Sequence, residues 1–355
     1  MVSREKRGSE IRQFILEHVE KHPDDIVTLT METFGISRQG VHRHIQTLRK
    51  QKALTIRGTP RNRRYTLHSL ATFWKPYDLN TPIEEDRLWS SDIRPILGDL
   101  TDNVLLIWQY GFTEIMNNAI EHSAGRKVSV GIDKTAIATL MAIHDDGQGI
   151  FKKIQRELGL YNEHDAVLEL AKGKLTTDPA HHSGEGIFFT SRIFDHFSIH
   201  SGTVMFAHSG DESMLHDMVF DEETSEDGTW VLMKITNISS RTTREVFDRF
   251  SSGDDYGFTK TAIPVQLAKY GDEQLISRSQ AKRLLARIDK FKVVIFEFNK
   301  VDTIGQAFAD EVFRVFANEH PDMEFYAEGT NPAVERMIRH VAGDRADAIL
   351  RDKEA

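Results

Sequence analysis

Glu114, Asn118 and His122 are spaced by four residues, so on a helix they share one face. A carboxylate and a carboxamide placed this way suit two tasks. Asn118 offers a neutral oxygen to a magnesium ion that already faces phosphate charge, and Glu114 can orient or deprotonate a hydroxyl or a water. A helix showing polar residues to solvent would have the same spacing. Asp145-Asp146-Gly147-Gln148-Gly149 follows the apolar run Leu140–Ile143. Its glycines let backbone approach a ligand, and an Asp at a strand end can accept a hydrogen bond from the amino group of adenine. Gly184-Glu185-Gly186 opens a further helical pattern. A glycine turn at a helix N-terminus is an anion site.

The elements that must hold these residues are partly readable. Helical periodicity runs from Trp89 through Leu106 into the Glu114 segment. Val128, Val130 and Ile132, then Ala138, Leu140 and Ala142, alternate as two strands of a hairpin around Asp133-Lys134. Trp230 to Ile235 reads as a last strand after an acidic loop, and residues 68–87 read as a linker or a leading helix.

Together the three motifs resemble the GHKL ATP-binding fold of histidine kinases, Hsp90, gyrase B and MutL, over about residues 85–240. The resemblance implies an α/β sandwich that binds ATP and Mg2+. It implies Asn118 on the metal, Glu114 as catalytic base and Asp145 on adenine. Gly147 and Gly149 would shape the adenine pocket, and Gly184 and Gly186 would face the triphosphate. A lid is implied at about 151–183, with Lys172, Lys174, Thr176 and Thr177 as phosphate contacts. His181 and His182 adjoin the phosphate turn without a carboxylate or cysteine companion, so no metal site is expected there. The segment Asp86 to Asp102 contains no His. That argues against a His phosphorelay, and the Glu114 to His122 pattern looks like the serine-kinase anti-sigma branch. A lid of this length and Lys-Thr-His content departs from a minimal member of that branch.

Residues 1–70 hold 14 Lys and Arg against 7 Asp and Glu, a net +7, while the rest of the chain is net −16. Between Thr33 and Arg64 there are nine basic residues and no acid. A basic module on an acidic body suggests a polyanion partner for the module, against the alternative of a solvated basic face. Apolar residues at Ile11, Phe14, Ile15 and Val19 predict a first helix, Val27 to Phe34 a second, and Ser37 an N-cap for a third with Val41, Ile45 and Leu48 buried. Two short strands flank the turn Gly58 to Arg64. This order resembles a winged helix-turn-helix. The resemblance implies double-stranded DNA as partner, with Arg38, Gln39, His42 and Arg43 at the third helix and Arg61, Arg63 and Arg64 at the wing. A winged helix used for protein contacts is the competing reading.

From about residue 245 to 345 strands and helices alternate, which predicts a small α/β domain. Ser277 or Ser279 caps a helix through Ile288, and Val293 to Phe298 is a strand. Ile304 to Phe316 is a helix, Met323 to Ala327 a strand, and Asn331-Pro332 starts a last helix. The core around Asp302 to Glu311 resembles the STAS fold of anti-sigma antagonists. In that fold a Ser just before the Gly accepts phosphate. Here Ile304 precedes Gly305 and the nearest hydroxyl is Thr303, which favours a docking domain without an acceptor.

The expected fold class is thus multidomain α/β: winged helix, GHKL-type sandwich, STAS-like domain. The chain has no cysteine, which excludes disulfides and thiolate metal sites. Its polar N-terminus and short apolar runs predict a soluble cytoplasmic protein without a membrane partner. The favoured function is a DNA-binding transcriptional regulator set by nucleotide occupancy. A Ser/Thr kinase acting on its own STAS-like module or on a protein partner, and a slow ATPase with nucleotide-gated homodimerisation, are the alternatives.

Overall fold

The computed structural model describes residues 4–59, 62–175, 184–209, 218–251, 257–271 and 273–350. The N-terminal part has helices α1 (Arg4–His18), α2 (Ile26–Phe34) and α3 (Arg38–Lys50), then an antiparallel hairpin of β1 (Leu54–Thr59) and β2 (Asn62–Leu67). Gly35 ends α2 in the left-handed region, φ +62°. The Ser37 hydroxyl caps α3, accepting from the Gly40 N–H at 3.2 Å. Ile15, Val19, Val41, Ile45 and Leu48 form a small core of their own. Phe14 is half-buried beside it and packs on His18 and Phe34.

Next come β3 (Ala71–Asp78), α4 (Glu85–Leu88) and α5 (Arg94–Leu97) joined by a π turn, then α6 (Asp102–His122). They are followed by β4 (Lys127–Lys134), β5 (Ala138–Asp145), α7 (Ile150–Leu158), α8 (Glu163–Lys172), α9 (Gly186–Ile193), β6 (His196–Ser209) and β7 (Met218–Thr236). The five strands form one sheet in the order β3-β4-β5-β7-β6, with every neighbouring pair antiparallel.

One expectation is corrected here. Residues 71–78 are neither linker nor helix but the edge strand of this sheet. Pro76 has no N–H to donate, and an edge strand tolerates that. Trp74, 56 % exposed, lies across Gly131, where a Cβ would come within 2.5 Å of its ring. The expected hairpin forms as β4 and β5, and of β5 it is Met141 and Ile143, opposite Ile132 and Val130, that face the core rather than Leu140 and Ala142. Apolar residues lie on both faces of β5, so alternation alone does not say which face is buried.

The C-terminal part begins with α10 (Thr243–Phe250), held by a reciprocal cap between Thr242 and Glu245. It continues through β8 (Lys260–Pro264), α11 (Arg278–Leu285), β9 (Val293–Glu297), α12 (Gln306–Asp310), α13 (Ala317–Glu319), β10 (Glu324–Glu328), α14 (Pro332–Ala342) and α15 (Ala346–Ile349). A π stretch, Glu311–Phe316, joins α12 to α13. The three strands are parallel in the order β10-β9-β8. Parallel strands need crossovers, and the intervening helices supply them. Ser277 caps α11 with Gln280 answering, and Asn331 caps α14 with Pro332 in the first turn, as the sequence predicts.

The chain is therefore mixed α/β with separate sheets. The hydrophobic core of the middle part continues into the C-terminal part, whereas the N-terminal part keeps its own. Among the described residues no helix is long and apolar enough to cross a membrane.

Candidate functional site

Helix α6 buries Trp108, Phe112 and Met116 against the sheet. Glu114, Asn118 and His122, one turn apart, line a pocket beside it. Asp145 at the end of β5 lines the same pocket, as do Gly149, Gly184 and Gly186. Seven residues from three separate motifs thus meet in one cavity. Ile115, Ala119, Ile143, Ile187 and Val231 make much of its wall apolar, which suits a flat heteroaromatic ring.

Local chemistry fixes the turns. Asp145 Oδ1 accepts from the Gly147 N–H at 2.9 Å, and burial pushes the Asp145 carboxyl pKa up. Asp146 Oδ1 accepts from the N–H groups of Arg126 and Lys127 at 2.7 and 2.8 Å, tying β4 to β5. Gly147 does not line the pocket; a Cβ there would meet the Ser123 carbonyl oxygen at 2.2 Å, so this glycine lets the turn pack on the end of α6. Gly149, φ +84°, leads into α7, whose first N–H donates to the Thr229 hydroxyl at 3.1 Å.

Glu114 faces the start of α9. A Cβ on Gly186 would lie 1.9 Å from Glu114 Oε2, so the carboxylate sits against the N-terminal turn of that helix. The helix dipole favours an anion there. Tyr110, one turn before Glu114, is kept a neutral phenol by burial and by the charges of Glu114 and Glu185.

Lys172 and Lys174 do not line the pocket. Lys172 is 1 % exposed, and its Nζ donates to Glu169 at 2.7 Å and to the carbonyls of Arg283 and Ala286 at 3.1 and 2.8 Å. Burial lowers its pKa while Glu169 opposes that shift. Lys174 Nζ donates to the Lys290 carbonyl at 3.3 Å and lies over the rings of Phe258 and Phe291. Within the expected lid, residues 163–172 form a helix that is buried over Asp165–Lys172. Thr176, Thr177, His181 and His182 lie outside the described residues.

Sequence reading missed Lys153, Thr229, Leu170 and Leu175, all of which line the pocket. Lys153 sits one turn after Gly149, and its Nζ donates to the His122 carbonyl at 3.2 Å. A lysine one turn into a helix after a glycine turn was the available signal. Thr229 has none, because only the pairing of β7 with β5 puts it opposite Asp145.

At the N-terminal part, Arg38, Gln39 and Arg43 are exposed on α3, and Arg63 and Arg64 stand on β2. Arg61 lies outside the described residues. Arg38, His42, Asn62, Arg63 and Thr28 line a polar hollow between α2, α3 and the hairpin. Burial, then Arg63 and Arg38, hold the His42 pKa below 6.5.

A family described as "STAS-like domain of unknown function (DUF4325)" matches residues 280–331. The C-terminal part is therefore STAS-like over α11, β9, α12 and β10. No curated protein matches the chain. Thr303 is exposed and Ile304 buried just before Gly305. Among the described residues no cluster of three or more His, Asp or Glu could hold a metal ion by itself.

Proposed function

We propose that this chain is a DNA-binding regulator whose state is set by an adenine nucleotide in the α6–β5–α9 pocket. The observation that carries the reading is the convergence of Glu114 and Asn118, Asp145 and Gly149, and Gly184 and Gly186 on one cavity. That is the arrangement the GHKL resemblance implies, on an antiparallel sheet with its helices packed against it.

The donor set fits Mg-ATP. Asn118 and Glu114 are neighbouring oxygen donors beside the start of α9, and a magnesium ion held by one or two protein oxygens takes its remaining ligands from phosphates and water. The metal would neutralise phosphate charge. Asp145, fixed through Gly147, presents a carboxylate to the exocyclic amine of adenine. The apolar wall excludes water from the ring faces. Lys153 brings a positive charge to a pocket that otherwise carries two carboxylates. Glu114 is the base available if the nucleotide is hydrolysed.

The N-terminal part suits a winged helix that lays α3 in the major groove. Arg38, Gln39 and Arg43 are exposed there for base edges, and on β2 the exposed Arg64 and the half-buried Arg63 stand for phosphates. Strand β5 links the two sites. Residues Ala136 and Ile137, just before it, pack on the N-terminal core, and Asp145 ends it in the pocket. Lys234 on β7 also pairs with Glu20 at 3.0 Å. A rearrangement around Asp145 therefore has a rigid strand through which to reach the DNA-binding part.

The test is duplex selection at fixed salt. The reading predicts sequence-selective binding that Arg38→Ala and Arg43→Ala each weaken by about tenfold and that ATP changes severalfold. Equal affinity for all duplexes, with and without ATP, contradicts it. The exposed hydroxyl of Thr303 supports a second reading, phosphotransfer to the STAS-like part. It predicts γ-phosphate label on the protein, lost in Thr303→Val.

A further inference from the structure

Helix α8 works on two sides. Leu170, and Leu175 just beyond the helix, line the pocket. Glu169 and Lys172 face the STAS-like part. The Lys172 ammonium sits at the exit of α11, on the carbonyls of Arg283 and Ala286, where unpaired carbonyls and the helix dipole favour a cation. Arg287 Nη1 lies 3.6 Å from Glu169. One turn back, Asp165 accepts from the Tyr270 hydroxyl at 2.7 Å and stands 3.5 Å from Arg283 Nε. The Arg283 guanidinium stacks on the Tyr270 ring at 3.8 Å.

An aromatic contact runs beside this ionic one. Phe188 lines the pocket and packs on Phe258 at 4.5 Å, which meets Phe291 at 5.2 Å. Gly173 closes the space between them, since a Cβ there would lie 2.7 Å from Phe258 and 2.8 Å from Phe188.

We infer that the STAS-like part fixes α8, which supplies one wall of the ligand pocket, from behind, with Arg283 and Tyr270 acting as positioning residues through Asp165. The inference rests on the nucleotide reading above and adds a direction to it: the two parts stay docked while nucleotide comes and goes. Separation would expose the rings of Phe258 and Phe291, take Arg283 and Tyr270 from the buried Asp165, and strip the Glu169–Lys172 pair of Arg287 and of two carbonyl acceptors. Lys174 is different. Its 3.3 Å bond to the Lys290 carbonyl is exposed, so a polyphosphate can recruit that one side chain and leave the wall in place. A pocket wall held this way is pre-organised, and ligand pays no ordering entropy for it.

The chain has no cysteine, so a pair introduced at 174 and 290 is uniquely addressable. Lys174 and Lys290 each donate to the other's carbonyl, at 3.3 and 2.9 Å, so a short bismaleimide can bridge Lys174→Cys and Lys290→Cys. Mg-ATP affinity of the full chain, measured by calorimetry before and after bridging, should agree within about twofold. A loss of more than about tenfold on bridging overturns the inference, because binding would then need the parts to separate. A ligand-free arm uses hydrogen exchange. Arg283→Ala should speed exchange in residues 163–175 by about tenfold, and the milder Tyr270→Phe by less, with β4 and β5 unchanged. Unchanged exchange in 163–175 for both variants overturns it as well. If the unaltered protein, with both lysines in place, binds no ATP, the nucleotide reading fails, and the exchange arm alone decides the wall.

Discussion

Gly186 and Glu114 are in contact across two helices: the carboxylate of one occupies the space that any Cβ on the other would need. Gly186→Ala therefore forces Glu114 away from the α9 N-terminus. The atom to be moved is the far end of a flexible side chain, and Ala suits a helix better than Gly. Stability should change by less than about 1 kcal/mol, while Mg-ATP affinity falls at least about tenfold. Gly147→Ala should do the reverse in severity. Its Cβ meets the Ser123 backbone at 2.2 Å, which cannot swing aside, so unfolding free energy should drop by about 1–3 kcal/mol. Chemical denaturation and calorimetry on both variants check this. Equal destabilisation in the two would contradict the assigned packing.

Lys172 is a structural cation. Lys172→Ala removes the partner of Glu169 and leaves the carbonyls of Arg283 and Ala286 without a donor. Breaking a buried pair from one side costs about 3–5 kcal/mol, and Arg287 beside Glu169 moderates that. A loss of about 3 kcal/mol in urea unfolding is expected, with Lys172→Met losing less because it refills the volume. A loss below about 0.5 kcal/mol would mean the side chain is not held as described.

His42 gives the DNA-binding reading a pH signature. Burial, Arg63 and Arg38 place its native pKa below the unfolded value of 6.5. The native chain thus holds fewer protons than the unfolded chain in between, so the stability His42 contributes is complete above pH 6.5 and lost as pH falls through the native pKa. Duplex phosphates favour the imidazolium and oppose that shift. Binding should take up a proton and strengthen severalfold between about pH 7.5 and about pH 6 at constant salt. Anisotropy titrations should show a smaller response in His42→Gln, where His44 is retained. An equal response in the variant would remove His42 from the interface.

The pocket was legible because its parts have local signatures: an i, i+4 pair on one helix, a glycine turn after an apolar strand, a second glycine turn before a helix. The caps at Ser37, Ser277 and Asn331 were legible for the same reason. Lys172 was not. A lysine in an implied lid looks like a phosphate ligand, and only α11, more than a hundred residues later, supplies the carbonyls that hold it together with Glu169. β8 was hidden because a short buried parallel strand has no alternation. Alternation does not give the phase of β5, because Leu140 puts apolar surface on the sheet's outer face.

The most direct test is calorimetric titration of the full chain with ATP, with and without Mg2+, beside Asn118→Ala and Asp145→Asn. The account predicts saturable one-to-one binding in the unaltered protein. Asp145→Asn should bind at least about tenfold more weakly under both conditions, and Asn118→Ala should lose chiefly the gain that Mg2+ gives. No binding by the unaltered protein, or unchanged affinity in both variants, would contradict the claim that this pocket holds an adenine nucleotide.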